Sequence, residues 1–171
     1  MRFLVRERVF DIGDDYWVTD EEGRKVFLVD GKALRLRTTF ELRDTEDNVL
    51  AVIRGKPFRV RDQMSVEREG GPTVTVRKRL FNPLVDKLVV EVEDGEDWEV
   101  TGDFLGKEYV VSDAHGTVAH VSRRWFRVRD TYAVDVNTHR ADIGADPALV
   151  ICVAVAVEAL TRDDDDEGAG G

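Results

Sequence analysis

Residues 148–157 read ALVICVAVAV, ten consecutive positions without a polar side chain in a chain otherwise dense with charge. No other stretch limits the fold so strongly. A membrane span needs roughly 20 apolar residues. Acids flank this run at Asp142, Asp146, Glu158 and Asp163, where a cytoplasmic anchor favours Lys or Arg. No transmembrane segment is expected. Val150, Ile151, Val153, Val155 and Val157 suit a strand. Against that, Asp146 is a good N-cap, and Pro147 fits the first helical position, where no amide donor is needed. The fifteen residues from Asp146 to Leu160 are long for a strand and normal for a helix. A helix apolar on every face must be enclosed by protein.

The enclosure is read from residues 1–140. Apolar and polar residues alternate in FLVRERVF, KALRLRTTFEL, TVTVRKRLF and AHVSRRWFRV. Turn signals separate them: DEEG at 20–23, DG at 30–31, DTEDN at 44–48, EGG at 69–71, EDG at 93–95 and DAHG at 113–116. A pattern also repeats. FDIGDDYWV (10–18), FRVRDQMSV (58–66) and FRVRDTYAV (126–134) share Phe, Ile/Val, Asp, Tyr/Met and Val at alternate positions, and FNPLVDKLVV (81–90) fits with one insertion. Asp14, Asp62, Asp86 and Asp130 are then equivalent, and a tight turn near each explains them.

Strands are expected at about 3–10, 14–20, 25–30, 34–43, 49–56 and 62–69, and again at 73–81, 86–93, 97–103, 107–113, 117–127 and 131–137. Two such halves, about 1–71 and 72–140, close into one twelve-stranded antiparallel barrel, which removes exposed sheet edges. That barrel is too wide for its own side chains to fill. The apolar segment is its filling: a central helix near 147–160. The expected fold is mainly β, one domain over 1–161, with a disordered acidic tail at 162–171.

Asp163–Glu167 supply five of the acids behind a net charge of −10. This balance argues against nucleic-acid binding, which needs a basic face. The single cysteine, Cys152, lies inside the apolar run and reads as an inert buried thiol. MRFLVRERVF alternates charge and apolar residues, unlike a signal peptide. A cytoplasmic location is expected.

VSRRWFRVRDTYAVDV (121–136) followed by ALVICVAVAVEAL (148–160) resembles the signature end of the LURP-one-related family. VFDIGDDYWVTDEEGRKVFLVDGKAL (9–34) and FELRDTEDNVLAVIRGKPFRVRDQMSVERE (40–69) resemble its prokaryotic members. The resemblance covers about residues 1–161. It implies the fold shared with the Tubby C-terminal domain and the phospholipid scramblases, a twelve-stranded barrel around a C-terminal helix. The family has no assigned reaction. Its Tubby relatives bind phosphoinositide headgroups through surface Lys and Arg.

No catalytic constellation stands out. His115, His120 and His139 lack metal-like spacing and read as solvated or locally bonded. Ser65, Ser112 and Ser122 have no nucleophile-elbow context. Trp17, Trp98 and Trp125 read as core or half-core residues. No catalytic residue, cofactor or metal is expected, and the protein is read as a non-enzymatic binding or scaffold protein. The basic clusters are the candidate site: Arg77, Lys78 and Arg79 in VRKRLF, and Arg123, Arg124, Arg127 and Arg129 in SRRWFRVR. RGKPFRVR adds Arg54, Lys56, Arg59 and Arg61. Gathered at one rim, they suit phosphate or carboxylate recognition. The expected partner is an unidentified protein or an anionic lipid headgroup.

Overall fold

The computed structural model describes residues 1–6, 15–32, 38–55, 63–79, 87–123 and 131–168, with side chains through 161. Among these residues lie twelve strands: β1 (Arg2–Arg6), β2 (Tyr16–Thr19), β3 (Lys25–Gly31), β4 (Thr39–Arg43), β5 (Val49–Gly55), β6 (Gln63–Glu67), β7 (Val74–Lys78), β8 (Lys87–Val92), β9 (Trp98–Asp103), β10 (Glu108–Asp113), β11 (Gly116–Ser122) and β12 (Thr131–Val136). Each pairs antiparallel with its sequence neighbours. β1 closes the barrel, setting Phe3 opposite Val134 of β12 and Leu4 opposite Thr19 of β2. Closure leaves no sheet edge to template aggregation. Odd-numbered strands all run one way; the end where they finish is called upper here.

The expected strands are present, several of them shorter than their alternation suggested. The repeat has a clear purpose. Its Tyr/Met and final Val positions face the lumen in four strands that start at the upper end. Tyr16 and Val18, Met64 and Val66, Leu88 and Val90, and Tyr132 and Val134 are all buried. Asp14, Asp62, Asp86, Asp130 and Trp125 lie outside the described residues.

A short 3₁₀ turn, Ile143–Ala145, leads at the lower end into helix α1 (Pro147–Gly168). Pro147 is the first helical residue, and Asp146 caps it by accepting the Ala148 amide at 3.0 Å. This satisfies one of the amides a helix start leaves unpaired. Every residue from Leu149 to Val157 is at most 3% exposed, which is the complete enclosure an all-apolar helix requires. Tertiary packing thus overrides the β-branched preference of Val and Ile. The helix also runs beyond 160 to Gly168, into a segment expected to be disordered. Propagating a formed helix by one residue is far easier than starting one.

Lower-end turns follow their sequence signals. Asp20 accepts the amides of Glu22 (3.0 Å) and Arg24 (2.9 Å), and Asp44 those of Glu46 and Asn48 (both 2.9 Å). Asp113 accepts that of His115 at 2.8 Å. Each is an Asp folding back on its own turn. Trp98 is buried, and Trp17 faces outward beneath the Lys25 ammonium, 4.6 Å from its ring centroid.

Candidate functional site

The described basic residues finish at the upper end, on separate strands. Arg54 is on β5, Arg77 and Lys78 on β7, and Arg123 follows β11. Neighbouring strands lie about 4.8 Å apart, so β5 and β7 are about 10 Å apart along the wall and β7 and β11 about 19 Å. Arg124, Arg127, Arg129, Lys56, Arg59 and Arg61 lie outside the described residues.

These cations are interleaved with carboxylates. Arg77 pairs with Glu91, Arg54 with Glu67 at 3.4 Å, and Arg79 with Glu99 at 3.8 Å. Lys87 reaches the same Glu99 at 2.7 Å. Partners of the Arg77 and Arg79 pairs are roughly half exposed. Exposed pairs of this kind contribute about 0.2–1 kcal/mol each. An anion approaching Arg77 or Arg79 has these weak pairs to displace. At β11, Glu108 accepts both the Ser122 hydroxyl (2.7 Å) and the Arg123 amide (3.0 Å), which fixes the strand end.

Thr39, Gln63, Lys107, Ser122, Thr131, Glu158 and Thr161 are buried polar residues at upper strand ends, in the β9–β10 turn or on the far end of α1. Thr39, Gln63, Ser122 and Thr131 alternate with the lumen-facing residues of their strands and belong to the outer face. At the lower end the Asp113 and Arg140 side chains are equally buried. Lys107 Nζ meets Glu158 Oε2 at 2.7 Å, with both side chains under a tenth exposed. Glu158, read from sequence as an acid flanking the apolar run, is therefore an interior residue. The turn that aims Lys107 inward depends on Gly102. There φ is +139°, and a Cβ would stand 2.4 Å from the Glu108 carbonyl oxygen. Burial, then the charge of Glu158, pushes the Tyr16 and Tyr109 phenols well above their ordinary range. Burial likewise pushes the Cys152 thiol up to about 12. A protonated, buried thiol has no nucleophilic reactivity.

Two constellations escaped the sequence reading. On the outer face of β3 and β4, Asp30, Lys32, Glu41 and Arg43 form one network, with Lys32 paired to Asp30 and Arg43 to Glu41 (2.6 Å). Burial and a hydrogen bond with Asp30 raise the carboxyl of Asp15. Burial opposes ionisation of Asp30 as well, but the hydrogen bonds with Lys32 and Asp15 and the charges of Lys32 and Arg43 together lower that carboxyl. At the lower end, His115 sits against Glu96 and Asp113. His120, exposed on β11, and His139 take no part in that cluster.

The model of the LURP-one-related family matches residues 1–158. The chain belongs to the LURP-one-related family. Over 169 residues, 98% of each chain, this LURP-one-related protein is 22% identical to the Bacillus subtilis (strain 168) protein YxjI, described as uncharacterized. Among solved structures it is similar to the X-ray structure of the Arabidopsis thaliana protein AT5G01750. That match has a TM-score of 0.60 and 18% identity, and covers 96% of this chain and 91% of the other. At that identity the likeness establishes the shared barrel fold. Among the described residues of this LURP-one-related protein, no helix is long and apolar enough to cross a membrane.

Proposed function

We propose that this LURP-one-related protein is a non-enzymatic binding or scaffold protein of the cytoplasm that recognises its partner with its outer surface. The observation that carries this reading is the filled lumen. Leu149–Val157 occupy the barrel from inside and are themselves buried, so the wide interior that ligand-binding barrels offer is taken by the chain's own helix.

A second reading is favoured by the upper rim. Its Arg77 and Arg79 are held only by half-exposed carboxylates, and an Arg fork can take two phosphate oxygens at once. Together with the fold shared with Tubby domains, this supports peripheral binding of anionic phospholipid headgroups. Co-sedimentation with phosphoinositide-containing, simple anionic and neutral vesicles separates the two readings. Headgroup recognition predicts binding to the anionic vesicles that is lost in an Arg77→Ala, Arg79→Ala variant. No binding by the wild-type protein, or equal binding by both proteins, rejects the lipid reading for this rim. A substrate turned over by the purified protein would overturn the non-enzymatic one.

A further inference from the structure

The lower end carries a cluster remote from the basic rim. β9 and β10 pair with Glu99 opposite Ser112. That register sets the turn before β9 beside the turn after β10. Glu96 from the first and Asp113 and His115 from the second come together, each offering one ligand atom, all within 4.8 Å of one another. His115 Nδ1 lies 2.9 Å from Glu96 Oε2.

The three side chains are differently held. Asp113 is 3% exposed and fixed twice, by the His115 amide on one oxygen and by the Arg140 guanidinium on the other. Arg140 is held in turn by Asp142 at 2.6 Å. A carboxylate oriented by an outer hydrogen-bonding shell is the arrangement metal ligands adopt. His115 and Glu96 are 67% and 58% exposed, so both can adjust. Tetrahedral ligands about 2.0–2.1 Å from an ion stand roughly 3.3–3.4 Å apart. The cluster reaches that spacing by small movements of its two exposed members. Three carboxylates, Glu96, Asp113 and Asp142, against one guanidinium leave negative charge for a cation to balance.

We propose that Glu96, Asp113 and His115 form a binding site for a divalent transition-metal ion, with zinc as the best match. The imidazole nitrogen excludes magnesium and calcium as preferred ions, since these take all-oxygen shells. Two carboxylate oxygens and one nitrogen suit zinc, and water completes the shell. The ion replaces the hydrogen bond between His115 and Glu96 and staples two turns that the strand ladder leaves separate.

The test is calorimetric titration of zinc chloride into the full chain after chelator treatment, for the wild type, His115→Ala and Glu96→Gln. The acidic tail is present in all three, so its diffuse attraction cancels. One saturable site is expected in the wild type, weakened at least about tenfold in each variant. Loss of a direct ligand should cost no less than loss of an outer-shell partner, which is about 10–100-fold. Imidazole NMR of the wild type gives a second readout: zinc should shift the His115 resonances and leave those of His120 and His139 in place. Equal zinc affinity in all three proteins, no saturable binding, or an unmoved His115 resonance overturns the site.

Discussion

At the lower end of the barrel, charged side chains stand outside the lumen and tie turns together: Arg140 to Asp113, Arg68 to the capping Asp146, and Asp20 and Asp44 to their own backbones. At the upper end a buried pair sits on the filling helix itself, where Lys107 meets Glu158. The same sheet thus closes in two ways. Below, polar contacts join the turns and the helix start; above, one buried ion pair links the β9–β10 turn to the far end of the helix. At the exposed Asp20 and Asp44 turns water can replace a lost partner, whereas Asp113 and Arg140 are as buried as the upper pair. A lost partner above leaves an uncompensated buried charge.

The sharpest probe lies between the ends. Val153→Asp puts an unpaired charge where the helix is 1% exposed. Burying such a charge costs several kcal/mol, a large part of a domain's whole stability. The variant should be insoluble or unfolded by circular dichroism. A cooperatively melting, soluble Val153→Asp protein would mean that the helix is not the filling.

Next comes the upper ion pair. Glu158→Ala should destabilise by about 3–5 kcal/mol in urea titration, because Lys107 is left buried and alone. The double change Lys107→Met, Glu158→Met should recover most of that loss, since well-packed apolar pairs replace buried ion pairs at little cost. If the single variant loses less than about 1 kcal/mol, water reaches the pair and the contrast between the ends fails.

Alkaline pH acts on the interior as well. The Cys152 thiol is pushed up to about 12 by burial, and the Tyr16 and Tyr109 phenols are raised too. Above their ordinary pKa values the unfolded chain releases these protons while the folded chain keeps them. Folding stability is therefore full below about pH 8.5–10 and falls as pH rises toward the folded values. Each group contributes up to about 1.4 kcal/mol per pH unit. Denaturant titrations from pH 8 to 11 should show this fall, and Cys152→Ala should make it shallower. A pH-independent midpoint would contradict the burial.

The smallest effect belongs to the helix start below. Asp146→Ala removes the helix cap and the partner of Arg68, and should cost about 1 kcal/mol, as other N-caps do. Its melting temperature should fall only by a few degrees. A loss as large as that of Glu158→Ala would show that the two ends are equally brittle.

Most of the fold could be read from local signals. The alternating strands, the Asp-led turns and the Asp146–Pro147 start each depend on neighbours in sequence. The repeat even marks which residues face inward. The site was harder to read, for a physical reason. Lys107 and Glu158 lie 51 positions apart, and each sits in a context that reads as surface: a glycine-rich turn and the edge of an apolar run. The available signal was Glu158 itself, an acid followed by Ala159 and Leu160 on a helix with no wet face. Glu96 and His115 meet only through the β9–β10 register, which alternation alone does not give. Of the seven basic candidates, Arg77, Lys78 and Arg79 lie at the upper end of β7 and Arg123 at that of β11, while Arg124, Arg127 and Arg129 lie outside the described residues.

Barrel closure also sets a timetable for synthesis. The amino group of Met1 binds the Val136 carbonyl at 2.8 Å, across 135 positions, and the filling helix follows still later. On the ribosome, β1 can meet β2 early, but its closing partner β12 exists only once residues 131–136 are made. Until residues 147–160 emerge, the nascent sheet has an apolar inner face and nothing to cover it. Pairing over such separations is slow, and the uncovered interval invites chaperone capture or aggregation. A nonsense or frameshift event just before Pro147 would leave a wall without its core.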